Sequence, residues 1–167
     1  MAGRKVFYSF HFDNDVMRTQ LVRNIGAIEG DKPVSPNEWE EARRTPGGIE
    51  RWIDSNMKYK SCVIVLVGTD TSERPWIQYE IQKGWNDGKG LLGIYIHNLK
   101  DPRTSQYPPL FGRCRQGLNP FSRFTIKNGL NLANIAKCYD PGSDAYSVIA
   151  TNIESWVEEA ISIRNAQ

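Results

Sequence analysis

The 167-residue chain is 40% hydrophobic and 24% charged, a balance that suits one compact domain, residues 1–167, burying roughly 70% of its unfolded surface. Its 21 basic and 19 acidic residues leave a net charge of +2, so no nucleic acid and no membrane surface is expected as a partner, and any electrostatic function is local. The most apolar run, Cys62 to Gly68, is about seven residues long, far short of the roughly 20 that cross a bilayer.

The first residues run directly into a strand-like segment without the apolar stretch of a secretory signal, so the cytoplasm is the expected compartment. Cys62, Cys114 and Cys138 are an odd, widely spaced set with no C-x-x-C pair. They read as free thiols, with neither a disulfide framework nor a thiolate metal site.

In chain order, Lys5 to Phe10 is rich in β-formers and predicts a strand, then a loop, then a helix whose Val16, Leu21, Val22 and Ile25 share a face. Asp13 or Asn14 is the expected cap of that helix and Gly26 its stop. From Glu29 to Arg44 the chain is polar and carries two prolines, which predicts a loop with at most a short strand near Pro33-Val34. Thr45-Pro46 predicts a helix start, and Ile49, Trp52, Ile53 and Met57 then repeat at helical spacing. Ser61 to Gly68 is apolar at nearly every position, as expected of a central parallel strand covered on both faces.

Pro75 to about Asp87 predicts another helix, Leu91 to Ile96 a second buried strand and Ile135 to Tyr139 a short last one. Between them, residues 100–127 lose periodicity and hold six basic residues against one acid, a long loop of functional appearance. The basic stretch from Arg113 to Lys127 is either a phosphate contact or a solvated loop. Tyr146 to Ile161 closes the chain with a helical apolar stripe, the helix running over about 144–164. Strands alternating with helices predict an α/β fold: a flavodoxin-like parallel five-stranded sheet with helices on both faces, its site beyond the carboxyl ends of the strands.

Several motifs carry little chemistry. Gly88-Lys-Gly90-Leu-Leu-Gly93 matches a dinucleotide fingerprint but precedes a strand, so its glycines are expected to close a helix rather than cradle phosphates. Asp70 is a lone carboxylate after the central strand, insufficient for a magnesium-binding phosphoacceptor site. His11 and His97 are the only histidines; His11 falls in the first loop, where a pocket role is open, and His97 reads as a strand-end residue. A stronger constellation is Trp76-Ile-Gln-Tyr-Glu80, where Trp76 and Glu80 stack on one helical face while Ile77 and Ile81 turn toward the sheet. Glu80 thus sits at the edge of an apolar face, either in a boundary salt bridge or as a carboxylate used by a ligand.

Lys5-Val-Phe-Tyr-Ser-Phe10-His-Phe-Asp, Trp39-Glu-Glu-Ala, the apolar strand and Trp76-x-x-x-Glu80 resemble TIR domains. The resemblance is closest to the bacterial TIR-like branch of Thoeris anti-phage defence. Gly117 to Phe121 and Ala136 to Trp156 extend it over nearly the whole chain.

The resemblance implies cleavage of the nicotinamide-ribose bond of NAD+, with NAD as substrate, no further cofactor and Glu80 as the catalytic residue. The product would be a cyclic or conjugated ADP-ribose messenger for a separate effector protein, made on a phage-derived activator's cue. It also implies substrate-binding roles for Ser9 and His11, and an access and self-association loop at 33–44. Phe10, Trp39 and Trp76 are aromatic candidates for the pyridinium or adenine. The alternatives from other classes are a non-catalytic TIR-like interaction or assembly module and a nucleotide sensor using the same pocket.

Overall fold

The computed structural model describes residues 4–25, 29–30 and 41–167. Five parallel strands, β1 (Lys5–Ser9), β2 (Glu29–Gly30), β3 (Cys62–Val67), β4 (Gly90–Tyr95) and β5 (Cys138–Tyr139), lie in the order β2-β1-β3-β4-β5. The expected α/β architecture with a parallel sheet holds. Within it β1, β3 and β4 carry the sheet, while β2 and β5 are two-residue ladders at its edges, so the five-stranded sheet expected is only marginally completed at either side.

Among the described residues the sheet is covered by α1 (Phe12–Arg23), α2 (Gly48–Met57), α3 (Pro75–Asn86) and α4 (Ala145–Asn165). Side chains alternate across a strand, and the core divides accordingly. Val6, Tyr8, Cys62, Ile64 and Leu66 meet Val22 of α1 and Ile149, Ile153 and Val157 of α4 on one face. Phe7, Val63, Val65 and Val67 meet Ile49, Ile53 and Met57 of α2 and Ile77 and Ile81 of α3 on the other. All six residues of β3 are buried, which is why its sequence shows no polar alternation.

Several boundaries differ from expectation. His11, not Asp13 or Asn14, holds the N-cap of α1, and no side chain caps it. Asn24 is its C-cap, and Gly26 lies outside the described residues, as does Pro33-Val34. Residues 41–44 are helical, so Thr45 ends one helical turn, its hydroxyl donating to Glu41 O at 3.2 Å, instead of starting α2. That helix begins after Gly47, whose φ of 68° a side chain would resist.

Of the glycines in the dinucleotide-like motif only Gly88 lies at the helix exit as expected; Gly90 opens β4 and Gly93 lies within it. Gly88 follows α3 with φ of 77°, and Gly90 packs so close to α4 that a Cβ there would lie 2.8 Å from the Ile161 nitrogen. No described helix is long and apolar enough to cross a membrane.

Candidate functional site

Ser9 is the last residue of β1 and shares the parity of Phe7, so it faces the layer holding α3. In α3, Ile77 and Ile81 are buried against the sheet, and Glu80, three residues after Ile77, is carried to the same side. The two meet: the Ser9 hydroxyl donates to Glu80 Oε2. Ser9 is fully buried and Glu80 only 7% exposed. A carboxyl group withdrawn this far from water requires hydrogen-bond partners, and the serine is one of them.

Glu80 also lines a cleft of about 190 Å³. Phe10, His11 and Phe12 line it from the β1–α1 junction, Trp76 and Arg74 from the start of α3, and Trp52 of α2 and Arg43 complete the lining. Aromatic and apolar groups dominate the walls, and the charged residues of the lining are the carboxylates Glu80 and Asp13 and the guanidinium groups of Arg43 and Arg74. Phe10 and Phe12 lie with ring centroids 6.2 Å apart, and Trp76 meets Tyr79 edge to face at the same separation. Tyr79 in turn donates to Asp54 at 2.9 Å, tying α3 to α2 behind the cleft. Burial and the nearby Arg74 charge hold His11 below the ordinary imidazole value, outweighing Asp13 and Asp70, so a neutral ring faces the cleft near neutral pH.

Of the residues singled out in the sequence, Phe10, His11, Trp76 and Glu80 come together around this cleft. Ser9 stands behind its wall and touches the carboxylate, which favours positioning over direct substrate contact. Trp39 lies outside the described residues. His97 lies apart, edge-on to Tyr95 at 6.2 Å, and does not line the cleft, so the two histidines form no dyad there. Asp70 accepts from the Asn14 side chain at 3.3 Å. All three cysteines are free thiols.

Arg43, Arg74 and Trp52 are cleft residues that sequence reasoning missed. Arg74 had one readable signal, its place immediately before the proline opening a helix beside the crevice. Trp52 had none, because its spacing is that of an ordinary core stripe.

A strand-end serine bonded to a helix glutamate sits at an aromatic cleft beyond the sheet's carboxyl edge. The family model described as Thoeris protein ThsB, TIR-like domain, matches residues 7–101, which contain every one of these groups. The chain belongs to this family. The match covers the first four strands and three helices and leaves out the 102–144 segment and α4, a shorter span than the near-complete likeness expected. A Bacillus cereus (strain MSX-D12) protein named "Putative cyclic ADP-D-ribose synthase ThsB1" is 30% identical over 126 residues. The alignment covers 71% of this TIR-like chain and 62% of the relative, so the chain spans less than two thirds of that protein's length.

Proposed function

We propose that this TIR-like domain binds NAD+ in the cleft beside Glu80, breaks the nicotinamide-ribose bond and yields an ADP-ribose-derived signalling nucleotide in anti-phage defence. The observation that carries this reading is the Glu80 carboxyl group, buried at the wall of an aromatic cleft and bonded by Ser9. The name of the Bacillus cereus relative supports the same substrate and product class, and the strand order matches the flavodoxin-like winding, with the cleft at the carboxyl edge where such sheets bind ligands.

The chemistry asks little acid-base work of the protein. The bond between ribose C1′ and the pyridinium nitrogen breaks with its electron pair passing to nitrogen, so nicotinamide leaves neutral and needs no proton. Positive charge moves onto the ribose as an oxocarbenium-like centre. A carboxylate fixed beside it stabilises that charge more than it stabilises the ground state, and accepts hydrogen bonds from the ribose hydroxyls.

Fixing matters, because a preorganised group in a water-poor site avoids reorganisation at the moment of reaction. Ser9 supplies part of that fixation. Trp76 and Phe10 offer π-faces to the cationic ring, and departure of neutral nicotinamide weakens that hold. Water, or a nucleophile in the same dinucleotide or a second molecule, then captures C1′ and releases a proton. A messenger made this way would act on a separate effector protein in the cytoplasm, with a phage-derived activator and self-association as the means of control.

Chromatography of NAD+ incubated with the purified protein, alone and with lysate of infected cells, tests the reading. The expected result is release of nicotinamide, abolished by Glu80→Gln with an unchanged far-ultraviolet circular dichroism spectrum. Turnover that survives Glu80→Gln refutes it. A folded wild-type protein inert toward NAD+ in both conditions favours the assembly-module alternative.

A further inference from the structure

Arg74 and Glu80 line the same cleft from one helix, the first as the N-cap of α3 and the second inside it. Glu80 lies six positions after Arg74, which at the helical rise sets the two about 9 Å apart along the axis. Trp76, also of the lining, falls between them. The cleft therefore has a buried carboxyl group at one end of this row and an exposed guanidinium at the other.

Arg74 makes no ion pair among the described residues, in contrast to Arg4, Arg18 and Arg103, each held by a carboxylate. Its charge is felt by His11, which it helps to keep neutral against the opposite pull of Asp13 and Asp70. The Nδ1 atom of His11 is buried without a partner, so the ring's polar contact with the cleft is through Nε2. The cleft's volume of about 190 Å³ is below the roughly 300–1,000 Å³ usual for a site that encloses a whole ligand. It suits one half of a dinucleotide.

We propose that Arg74 selects a 5′-phosphate on the ribose whose C1′ faces Glu80, so that the cleft recognises the nicotinamide mononucleotide half of NAD+ and discriminates against the phosphate-free nucleoside. This rests on the NAD+ reading above and names the part of the dinucleotide that the cleft takes. In a nucleotide the anomeric carbon and the 5′-phosphate stand at opposite ends of the sugar, and α3 offers one matching group to each. Contacts between guanidinium and phosphate are charge-assisted and bidentate. The carboxylates of the lining do not cancel them: Glu80 stands at the other end of the row, beside the positive pyridinium, and Asp13 is exposed, so water and salt weaken its repulsion. A phosphate on Arg74 also offsets the charge that keeps His11 neutral, and the ring then takes up a proton and donates from Nε2.

The test compares nicotinamide mononucleotide with nicotinamide riboside, which differ only in the 5′-phosphate, on the full chain carrying Glu80→Gln so that neither is consumed. Calorimetry is expected to give the mononucleotide an advantage of about tenfold or more. Arg74→Ala in the same background abolishes that advantage and Arg74→Lys keeps part of it; the exposed position makes both changes compatible with folding. In ring-proton spectra the His11 titration midpoint lies higher with the mononucleotide bound than with the riboside bound.

Equal affinities for the two ligands overturn the proposal, as does an advantage that survives Arg74→Ala, a mononucleotide that does not bind at millimolar concentration, or a His11 midpoint that the phosphate leaves in place or lowers. Because binding is read without turnover, wild-type protein inert toward NAD+ with the phosphate advantage intact counts against the cleavage reading alone. Turnover of NAD+ without that advantage counts against this selection alone.

Discussion

At the scale of single residues, Glu80 and Ser9 form one unit, and the serine's contribution can be separated from the carboxylate's. Removing a hydrogen bond to a charged group costs about 1.5–3 kcal/mol. If the Ser9 hydroxyl orients Glu80 for the transition state, Ser9→Ala lowers kcat for nicotinamide release about 10- to 100-fold, with KM for NAD+ little changed. Steady-state kinetics with both parameters resolved checks this, and a pure KM effect would instead make Ser9 a ground-state binding residue. His11 is read through pH. Its folded value is lowered, so the unfolded chain takes the proton first. The stability it contributes is intact above about pH 6.5 and is lost as pH falls through the lowered folded value. Urea unfolding at about pH 5 and pH 7 should show that His11→Gln removes this part of the pH dependence.

At the scale of elements, α1 and β3 are joined by an unusually close approach. A Cβ on Gly68 would lie 2.2 Å from Asp15 Oδ2, and a Cβ on Gly117 would lie 2.0 Å from Gly68 O. The end of β3, the first turns of α1 and the 113–119 segment are therefore packed to backbone distance. Gly68→Ala is expected to destabilise the fold by about 1–3 kcal/mol as the carboxylate is displaced, measured as a lower denaturation midpoint with an unchanged slope. Ile81→Ala, in the α3 face that presses Glu80 toward β1, should cost about 2–5 kcal/mol in the same measurement.

At the scale of the whole molecule, Asp15 links proton binding to folding. Burial pushes its value from 3.8 up to about 6, against the opposing pull of Arg18. The folded chain therefore holds this proton more tightly than the unfolded chain. Its contribution is fully present below about pH 3.8 and is lost as pH rises through about 6, a change on the order of 2–3 kcal/mol. Asp15→Asn does not titrate, so the stability of wild type relative to this variant should fall by that order between about pH 4 and pH 7, checked by chemical denaturation at both values.

The α3 and α4 helices and the buried β3 strand were legible because each is specified within its own segment: Pro75 opens one helix, an apolar stripe runs through the other, and the strand is apolar on both faces. Residues 41–47 misled because Thr45-Pro46 satisfies a local rule for starting a helix while the chain there is leaving one turn and entering α2 two residues later. Glu80 was recognisable as a carboxylate at an apolar boundary, and its neighbours Ile77 and Ile81 gave its direction. That Ser9 would hold it and that Arg43, Arg74 and Trp52 would close the cleft around it could come only from the tertiary structure. Periodicity reports which face of an element is buried, whereas these contacts depend on how separate elements meet, as Ser9 and Glu80 do across 71 positions of chain.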